Sequence, residues 1–184
     1  EDNVKAVRAA GGIDWLLKMA QVEDLEARQA AVAGIANIAN SKFQDELMDS
    51  DVLGLLKPLL ASKAPIMLRG AAQAVSNLAL IEENRAAIMK KVLPEIVKLS
   101  ESKDVRVQHC CAVALNNLAQ DDTARQKIID AGGESAVKKL MFSVDEDVRS
   151  ESELLFKALT ADQKPPEKES NKKSNARMDR VSSK

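Results

Sequence analysis

The sequence predicts an all-α fold built from repeated helical units, and three observations support this prediction. A short apolar motif around an asparagine recurs at intervals of 40 residues. Within each copy the apolar residues return every three or four positions, which is the spacing of one helix face. Aromatic residues make up only 2% of the 184 residues, so the core must consist of Ala, Leu, Ile and Val. A fixed period of this length is typical of a solenoid, in which each unit packs against its neighbours.

The recurring motif places Asn37, Asn77 and Asn117 at the same point of three copies, 40 residues apart. The same spacing leads to Lys157, where the apolar frame persists and the asparagine does not. A second apolar segment precedes each copy at the same interval. The sequence therefore predicts about four units, of which the first is incomplete and the last atypical. These units span approximately residues 1–40, 41–80, 81–120 and 121–161.

The longest helix of a unit is clearest in the third copy, where apolar residues form one continuous stripe. The stripe consists of Val107, Cys111, Ala114, Leu115 and Leu118. A shorter helix is expected to follow it, because residues 121–123 offer N-cap side chains. The glycines of residues 131–133 then end that helix, since they tolerate left-handed backbone angles. Each unit is therefore predicted to contain one short helix and two longer ones, with Pro94 in the first turn of a middle helix.

Charge and composition exclude several classes of protein. The formal net charge is −1, the sum of −4 on residues 1–161 and +3 on residues 162–184. The part predicted to fold therefore lacks the clustered Lys and Arg that nucleic acid requires. No uninterrupted apolar run reaches the length of a membrane span. The N-terminus has no signal-peptide pattern, and Cys110 and Cys111 are adjacent and so form no disulfide framework. We expect a cytoplasmic or nuclear location, with a disordered Lys/Ser-rich tail at residues 162–184.

Catalytic and metal-binding motifs are not found, and no cofactor is expected. His109 lies beside Cys110 and Cys111, which raises the possibility of a metal site or a thiol nucleophile. Consecutive residues of a helix diverge by about 100°, so these three side chains do not converge on one ion. We interpret the two cysteines as small apolar residues that pack between helices. The glycine pairs at residues 11–12 and 132–133 follow no strand. They resemble helix ends rather than phosphate loops.

Several motifs together resemble the armadillo repeat superfamily, which includes beta-catenin, importin-alpha and vacuolar armadillo scaffold proteins. The resemblance rests on the 40-residue unit, the Ala-Gly-Gly turns at residues 10–12 and 131–133, Asn84-Arg85, and the Asn-Leu-Ala motif. It covers residues 4–161. It implies a right-handed superhelix, an α-α solenoid, in which the third helices of the units line a concave groove. In this family the motif asparagine points into that groove, a role that falls here to Asn37, Asn77 and Asn117.

An amide side chain both donates and accepts hydrogen bonds, so a row of them could hold the backbone of an extended peptide. The alternative is that the asparagines bond a neighbouring helix. Further groove positions lie one turn before each asparagine, at Ala33, Gln73, Val113 and Glu153, and two turns before, at Gln29, Arg69, His109 and Arg149. With Lys157, these residues would offer positive charge to an acidic partner, unless they form only a solvated face.

The sequence predicts a non-catalytic scaffold or adaptor for protein interaction, with an extended or helical partner segment in the groove. One alternative is a docking module of a larger ubiquitin ligase or kinesin, since further repeats or another domain are expected upstream of Glu1. A third candidate is a nuclear transport receptor. Importin-alpha carries tryptophans one turn before the asparagines, and this sequence has none there. Its single tryptophan, Trp15, is predicted to lie in the core.

Overall fold

The computed structural model describes Ala6 and residues 9–161; the predicted tail at residues 162–184 lies outside this part of the chain. Within these residues no strand is found, Ala6 and Ala9 are helical, and ten helices have defined bounds. They are α1 Gly12–Met19, α2 Leu25–Ala39, α3 Gln44–Asp49, α4 Val52–Leu60, α5 Pro65–Leu78, α6 Glu82–Leu99, α7 Val105–Leu118, α8 Asp122–Asp130, α9 Gly133–Leu140 and α10 Glu146–Thr160. No helix of the described residues is both long and apolar enough to cross a membrane.

Helices α2, α5, α7 and α10 are the equivalent third helices of four repeats, and they pack side by side in chain order. The side chains of Asp24, Asp104 and Asp145 cap three of them by accepting a backbone N–H of the first turn. The fourth, α5, begins instead with Pro65, whose missing N–H is no loss at that position. The predicted all-α solenoid is thus confirmed.

The core runs along the third helices. All five residues of the predicted apolar stripe on α7 are buried, which confirms the helical period. One position of each third helix is always small and almost fully buried. It holds Ala31, Ala71, Cys111 and Ser152, none more than 3% exposed. Small side chains allow close approach of neighbouring helices, so the packing role predicted for Cys111 fits its surroundings.

The third repeat departs from the predicted arrangement of three helices. Its short and middle helices are merged into the continuous helix α6, and Pro94 lies inside this helix rather than in a first turn. In the other repeats a residue with left-handed backbone angles separates the two helices; this residue is Gly11, Asp51 or Gly132. Lys91 takes that place in the third repeat and stays helical. The predicted short helix therefore has no turn to end it.

The third helix of the fourth repeat is displaced by one residue from the predicted 40-residue spacing. The N-caps of the third helices, Asp24, Ala64, Asp104 and Asp145, are 40, 40 and 41 residues apart. The burial pattern agrees, since Val148 and Leu159 are buried like Val107 and Leu118. The 40-residue spacing that led to Lys157 is therefore wrong for α10, whose residues are displaced by one.

Trp15 is not a core residue, contrary to the prediction, because 58% of its surface is exposed. Its neighbour Leu16 packs against α2, where an added Cβ at Gly34 would meet Leu16 Cδ2 at 3.0 Å. Successive residues of a helix diverge by about 100°, so Trp15 is turned away from this contact.

Candidate functional site

The predicted asparagines occupy the same position on three neighbouring third helices: Asn37 on α2, Asn77 on α5 and Asn117 on α7. Stacked repeats place equivalent positions in one row, so the three amides form a ladder across the helices. Asn37 is exposed, and Asn77 and Asn117 are half-buried. In the fourth repeat the equivalent residue is Ala158, because of the one-residue displacement. The ladder therefore has three members within the described residues.

Asn77 is already hydrogen-bonded within the protein. Its Nδ2 donates to the backbone oxygen of Ala36 at 3.0 Å, which joins α5 to α2. Its Oδ1 accepts from Gln73 Nε2 at 3.0 Å. The bond to a neighbouring helix, the alternative considered for all three asparagines, thus holds for Asn77. Nδ2 carries a second hydrogen, so one donor of Asn77 remains.

Arg69 forms an ion pair with Asp104, the N-cap of α7, through Nε and Oδ2. The Asp104 carboxylate also accepts from the backbone N–H of Arg106 at 3.0 Å. Burial alone would raise the pKa of Asp104. The hydrogen bond and charge of Arg69 and the backbone N–H groups of Arg106 and Val107 outweigh burial and hold this pKa below its ordinary value. The positive charge predicted at Arg69 is therefore compensated by an adjacent carboxylate.

The other two cations, Arg149 and Lys157, occupy positions of the repeat different from those predicted. Arg149 is equivalent to Gln108 rather than His109, and both side chains reach the backbone oxygen six residues earlier. The distances are 2.8 Å from Arg149 Nη1 to Ser143 and 2.7 Å from Gln108 Nε2 to Ser102. Lys157, predicted to replace a fourth asparagine, is equivalent to Asn116.

The groove row one turn before the asparagines consists of Ala33, Gln73, Val113 and Leu154. Leu154 takes the place predicted for Glu153, and it is 60% exposed. Sequence reasoning missed Leu154 because it applied the 40-residue spacing. The Asp-capped start of α10 was the available signal, since counting from Asp104 to Asp145 gives the correct register. Two turns before the asparagines lie Gln29, Arg69, His109 and Ser150, and His109 is exposed.

Cys110 and Cys111 are both buried. Burial raises the pKa of Cys110 to about 11, and burial followed by the neighbouring Cys110 raises the pKa of Cys111 further. Both thiols are therefore protonated at neutral pH, which disfavours nucleophilic chemistry. Among the residues that the structure describes, no group of three or more His, Cys, Asp or Glu side chains is placed to hold a metal ion.

Asn84 and Arg85, the pair that contributed to the resemblance, stabilise the end of the preceding third helix. Asn84 Nδ2 donates to the oxygen of Leu78 and Arg85 Nε to that of Ala79, both at 3.2 Å. Arg125 makes the equivalent bond one repeat later. These side chains satisfy carbonyl groups left open at a helix C-terminus. Their role in this structure is to join helices.

A cleft of about 990 Å³ lies between α6 and α8. None of the predicted partner-binding residues lines it. Glu82, Lys90, Asp121 and Lys127 give it a mixture of both charges, and Arg85 is held there by backbone oxygens. Because the charged side chains that line the cleft are of both signs, the cleft does not favour a ligand of one charge. The ladder on the third helices remains the better candidate site.

Comparison with solved structures supports this architecture. The chain is similar to an engineered protein at 31% identity and a TM-score of 0.79, with 87% of this chain and 67% of that chain covered. It also resembles computationally designed armadillo repeat proteins for modular peptide recognition, at 25% identity, a TM-score of 0.80, and coverage of 85% and 68%. A designed armadillo repeat protein in complex with the peptide (KR)4 matches at 24% identity and a TM-score of 0.78, with 86% and 68% covered.

No protein-family model matches the sequence, and no curated protein matches it. The helices and the structural neighbours define the class: the chain is a helical repeat solenoid. Within that class it has the armadillo-repeat fold.

Proposed function

We propose that this chain is a non-catalytic scaffold that binds an extended segment of a partner protein along its third helices. The observation that carries the proposal is the ladder of Asn37, Asn77 and Asn117 on three adjacent, equivalent helices. An amide group matches the donor and acceptor of a peptide backbone, whatever the side chains of that peptide are. A ladder of amides therefore suits an extended chain of varied sequence.

The spacing of the ladder supports this proposal. Packed helices lie about 8–10 Å apart. An extended chain advances about 3.3 Å per residue, so it would meet a new asparagine after roughly three residues. Contacts that repeat at this interval combine weak individual bonds into useful affinity.

The surroundings of the ladder favour a partner segment with apolar side chains over an acidic one. Arg69 is compensated by Asp104, and Arg149 is held by the Ser143 oxygen. Val113 and the exposed Leu154 offer apolar surface in the same row. Apolar surface exposed beside hydrogen-bonding groups is the usual composition of a peptide-binding surface. These observations support an uncharged, aliphatic segment as the partner.

The comparisons agree with a peptide-binding role. The designed armadillo proteins at 25% identity are described as made for modular peptide recognition. The basic peptide (KR)4 belongs to a designed protein at 24% identity, whose likeness supports the fold alone. We therefore extend peptide binding, and not the preference for a basic peptide, to this chain.

The test is selection of binding peptides from a phage-displayed random library, with the full chain as bait. Affinities of the selected peptides are then measured by fluorescence anisotropy for the wild type and for the double variant Asn37→Ala, Asn117→Ala. We expect each substitution to weaken binding about fivefold, the value of one ordinary hydrogen bond. Gln126→Ala, on the exposed surface of α8, is the control and should leave affinity unchanged. Equal affinity for the wild type and the double variant would contradict the proposal.

A further inference from the structure

A line of hydrogen bonds connects three repeats across the groove and distinguishes Asn77 from the other ladder asparagines. The Cys110 thiol on α7 donates to Gln73 Oε1 on α5, with 3.5 Å between the heavy atoms. Gln73 Nε2 donates to Asn77 Oδ1 at 3.0 Å. Asn77 Nδ2 in turn donates to the Ala36 oxygen on α2 at 3.0 Å. Each bond begins where the previous side chain ends, so the line is continuous.

The chemistry of its last acceptor fixes the direction of the whole line. The backbone oxygen of Ala36 only accepts, so Asn77 must turn its Nδ2 towards it. Asn77 Oδ1 then faces Gln73, which must offer its Nε2. Gln73 Oε1 is left facing Cys110, whose thiol must donate. Burial raises the pKa of Cys110 to about 11, which keeps the required proton on sulfur.

The other two ladder asparagines have no such support. Ala33 precedes Asn37 by one turn and Val113 precedes Asn117, and neither side chain forms hydrogen bonds. The side-chain amides of Asn37 and Asn117 make no hydrogen bond with any other residue that the structure describes. They are free to turn either the donor or the acceptor towards a partner. Asn77 is held in one orientation.

We infer that Gln73 is a positioning residue that, together with the Ala36 oxygen, holds Asn77 as a hydrogen-bond donor in the groove, so that at this repeat the partner contributes a backbone carbonyl. This inference rests on the proposed function and deepens it. The remaining N–H of Asn77 is available, while its oxygen already accepts one hydrogen bond, from Gln73. The partner residue opposite Asn77 therefore needs no N–H. A proline, which has none, is accepted there, whereas opposite Asn37 or Asn117 it loses the hydrogen bond that the free side-chain oxygen would accept.

The first experiment uses the full chain without any peptide. The exchange rates of the two Asn77 side-chain amide protons are measured by NMR in ¹⁵N-labelled wild type and in Gln73→Met, which keeps the length of the side chain and removes its hydrogen bonds. We expect one Asn77 proton to exchange about fivefold more slowly than the other in the wild type, because it is hydrogen-bonded to Ala36. In Gln73→Met the Ala36 oxygen is still present but Asn77 Oδ1 is no longer held, so the difference between the two rates should decrease.

Two further variants make this readout specific. Gln126→Met is the matched control, since Gln126 makes a local bond to Asp130 on α8; it should leave the Asn77 rates unchanged. Cys110→Ser keeps a donor and should preserve the slow proton, whereas Cys110→Ala should weaken the protection. An unchanged ratio of the Asn77 rates in Gln73→Met, or the same protection at Asn117, would overturn the positioning role.

The second experiment tests the consequence for the partner. A peptide chosen by the library selection is replaced by proline at each position in turn, and every affinity is measured against the wild type and Gln73→Met. We expect one internal position to accept proline in the wild type, and affinity at that position to fall about fivefold in Gln73→Met. Proline tolerance that is identical in both proteins would overturn the inference.

The two proposals fail in distinguishable ways. If no peptide is selected, the proposed function fails, and the NMR exchange rates still decide whether Gln73 orients Asn77.

Discussion

Lys91 forms an ion pair with Asp51, the residue that occupies the same position of the preceding repeat. The hydrogen bond and then the charge of Lys91 hold the pKa of Asp51 below its ordinary value. The two residues have different backbones. Asp51 has a φ of 54° and forms the turn between α3 and α4, whereas Lys91 is part of the continuous helix α6. The ion pair thus joins the turn of the second repeat to the equivalent position of the third repeat, which is helical.

Replacement of Asp51 by glycine should stabilise the protein. A non-glycine residue with positive φ is strained, and Gly11 and Gly132 occupy the equivalent turns. We expect Asp51→Gly to raise Tm by about 2–4 °C in thermal unfolding followed by circular dichroism. Lys91→Met is the control that removes only the exposed ion pair, and its Tm should stay close to that of the wild type. A lower Tm for Asp51→Gly would mean that the pair outweighs the backbone strain.

The ladder asparagines should differ in their effect on stability. Asn77→Ala removes two hydrogen bonds within the protein and should lower the free energy of unfolding by about 1 kcal/mol. Asn117→Ala removes none among the described residues and should leave that free energy nearly unchanged. Urea unfolding of both variants checks this difference, and equal losses would contradict it.

Stability should depend on acid through Asp104. Because the pKa of Asp104 is lowered in the folded protein, its contribution is present above the ordinary pKa of aspartate and is lost as pH falls through the lower, folded value. Asp104→Ala should therefore cost about 1 kcal/mol at neutral pH, as other N-cap losses do. Urea midpoints measured from neutral pH to about pH 3 should converge for the variant and the wild type. Arg69→Met should show a weaker loss of stability in acid than the wild type.

Peptide binding should depend on Leu154 and only weakly on salt. Leu154→Ser is expected to weaken a peptide selected on the wild type by about 1–2 kcal/mol, the value of an apolar contact of this size. Glu153→Ser, at the adjacent exposed position, is the matched control and should have little effect. Raising the salt concentration should change affinity little, because screening acts on charged contacts. A steep loss of affinity with salt would favour the acidic partner that the sequence suggested.

Close packing of α2 against α5 should make Gly70 intolerant of substitution. An added Cβ at Gly70 would lie 2.6 Å from Val32 Cγ1. Gly70→Ala is therefore expected to destabilise the protein by about 1–3 kcal/mol. Val32→Ala should restore part of this loss when the two changes are combined, which a double-mutant cycle in urea would measure. Independent, additive effects would place the strain elsewhere.

The sequence was sufficient for the fold because burial in a solenoid repeats with the unit. Ile35, Val75 and Leu115 recur at the same spacing and are all almost fully buried. The merged helix α6 was harder to predict. Pro94 suggested a helix start, and the decisive feature is Lys91, which stands where the other repeats have a residue that tolerates positive φ, either glycine or aspartate. The absence of a turn residue is harder to recognise in a sequence than its presence.

The candidate site was predicted less completely, since a one-residue error changes which face a side chain occupies. A shift of one position along a helix rotates a side chain by about 100°. The groove rows therefore contain Leu154 and Ala158 where Glu153 and Lys157 were predicted. The hydrogen bond from Asn77 to Ala36 also lay beyond sequence reasoning. It depends on the distance between two helices, which the period of the repeat does not specify.

Helix α6 has a mechanical consequence for the solenoid. Its 18 residues form one rod about 27 Å long. When a solenoid is stretched, we expect it to deform most at the turns between its helices. The repeats with turns at Gly11, Asp51 and Gly132 supply such joints, whereas the third repeat has none between its first two helices. Stretching one molecule from its ends should therefore extend the other three repeats first and leave the third as the stiffest.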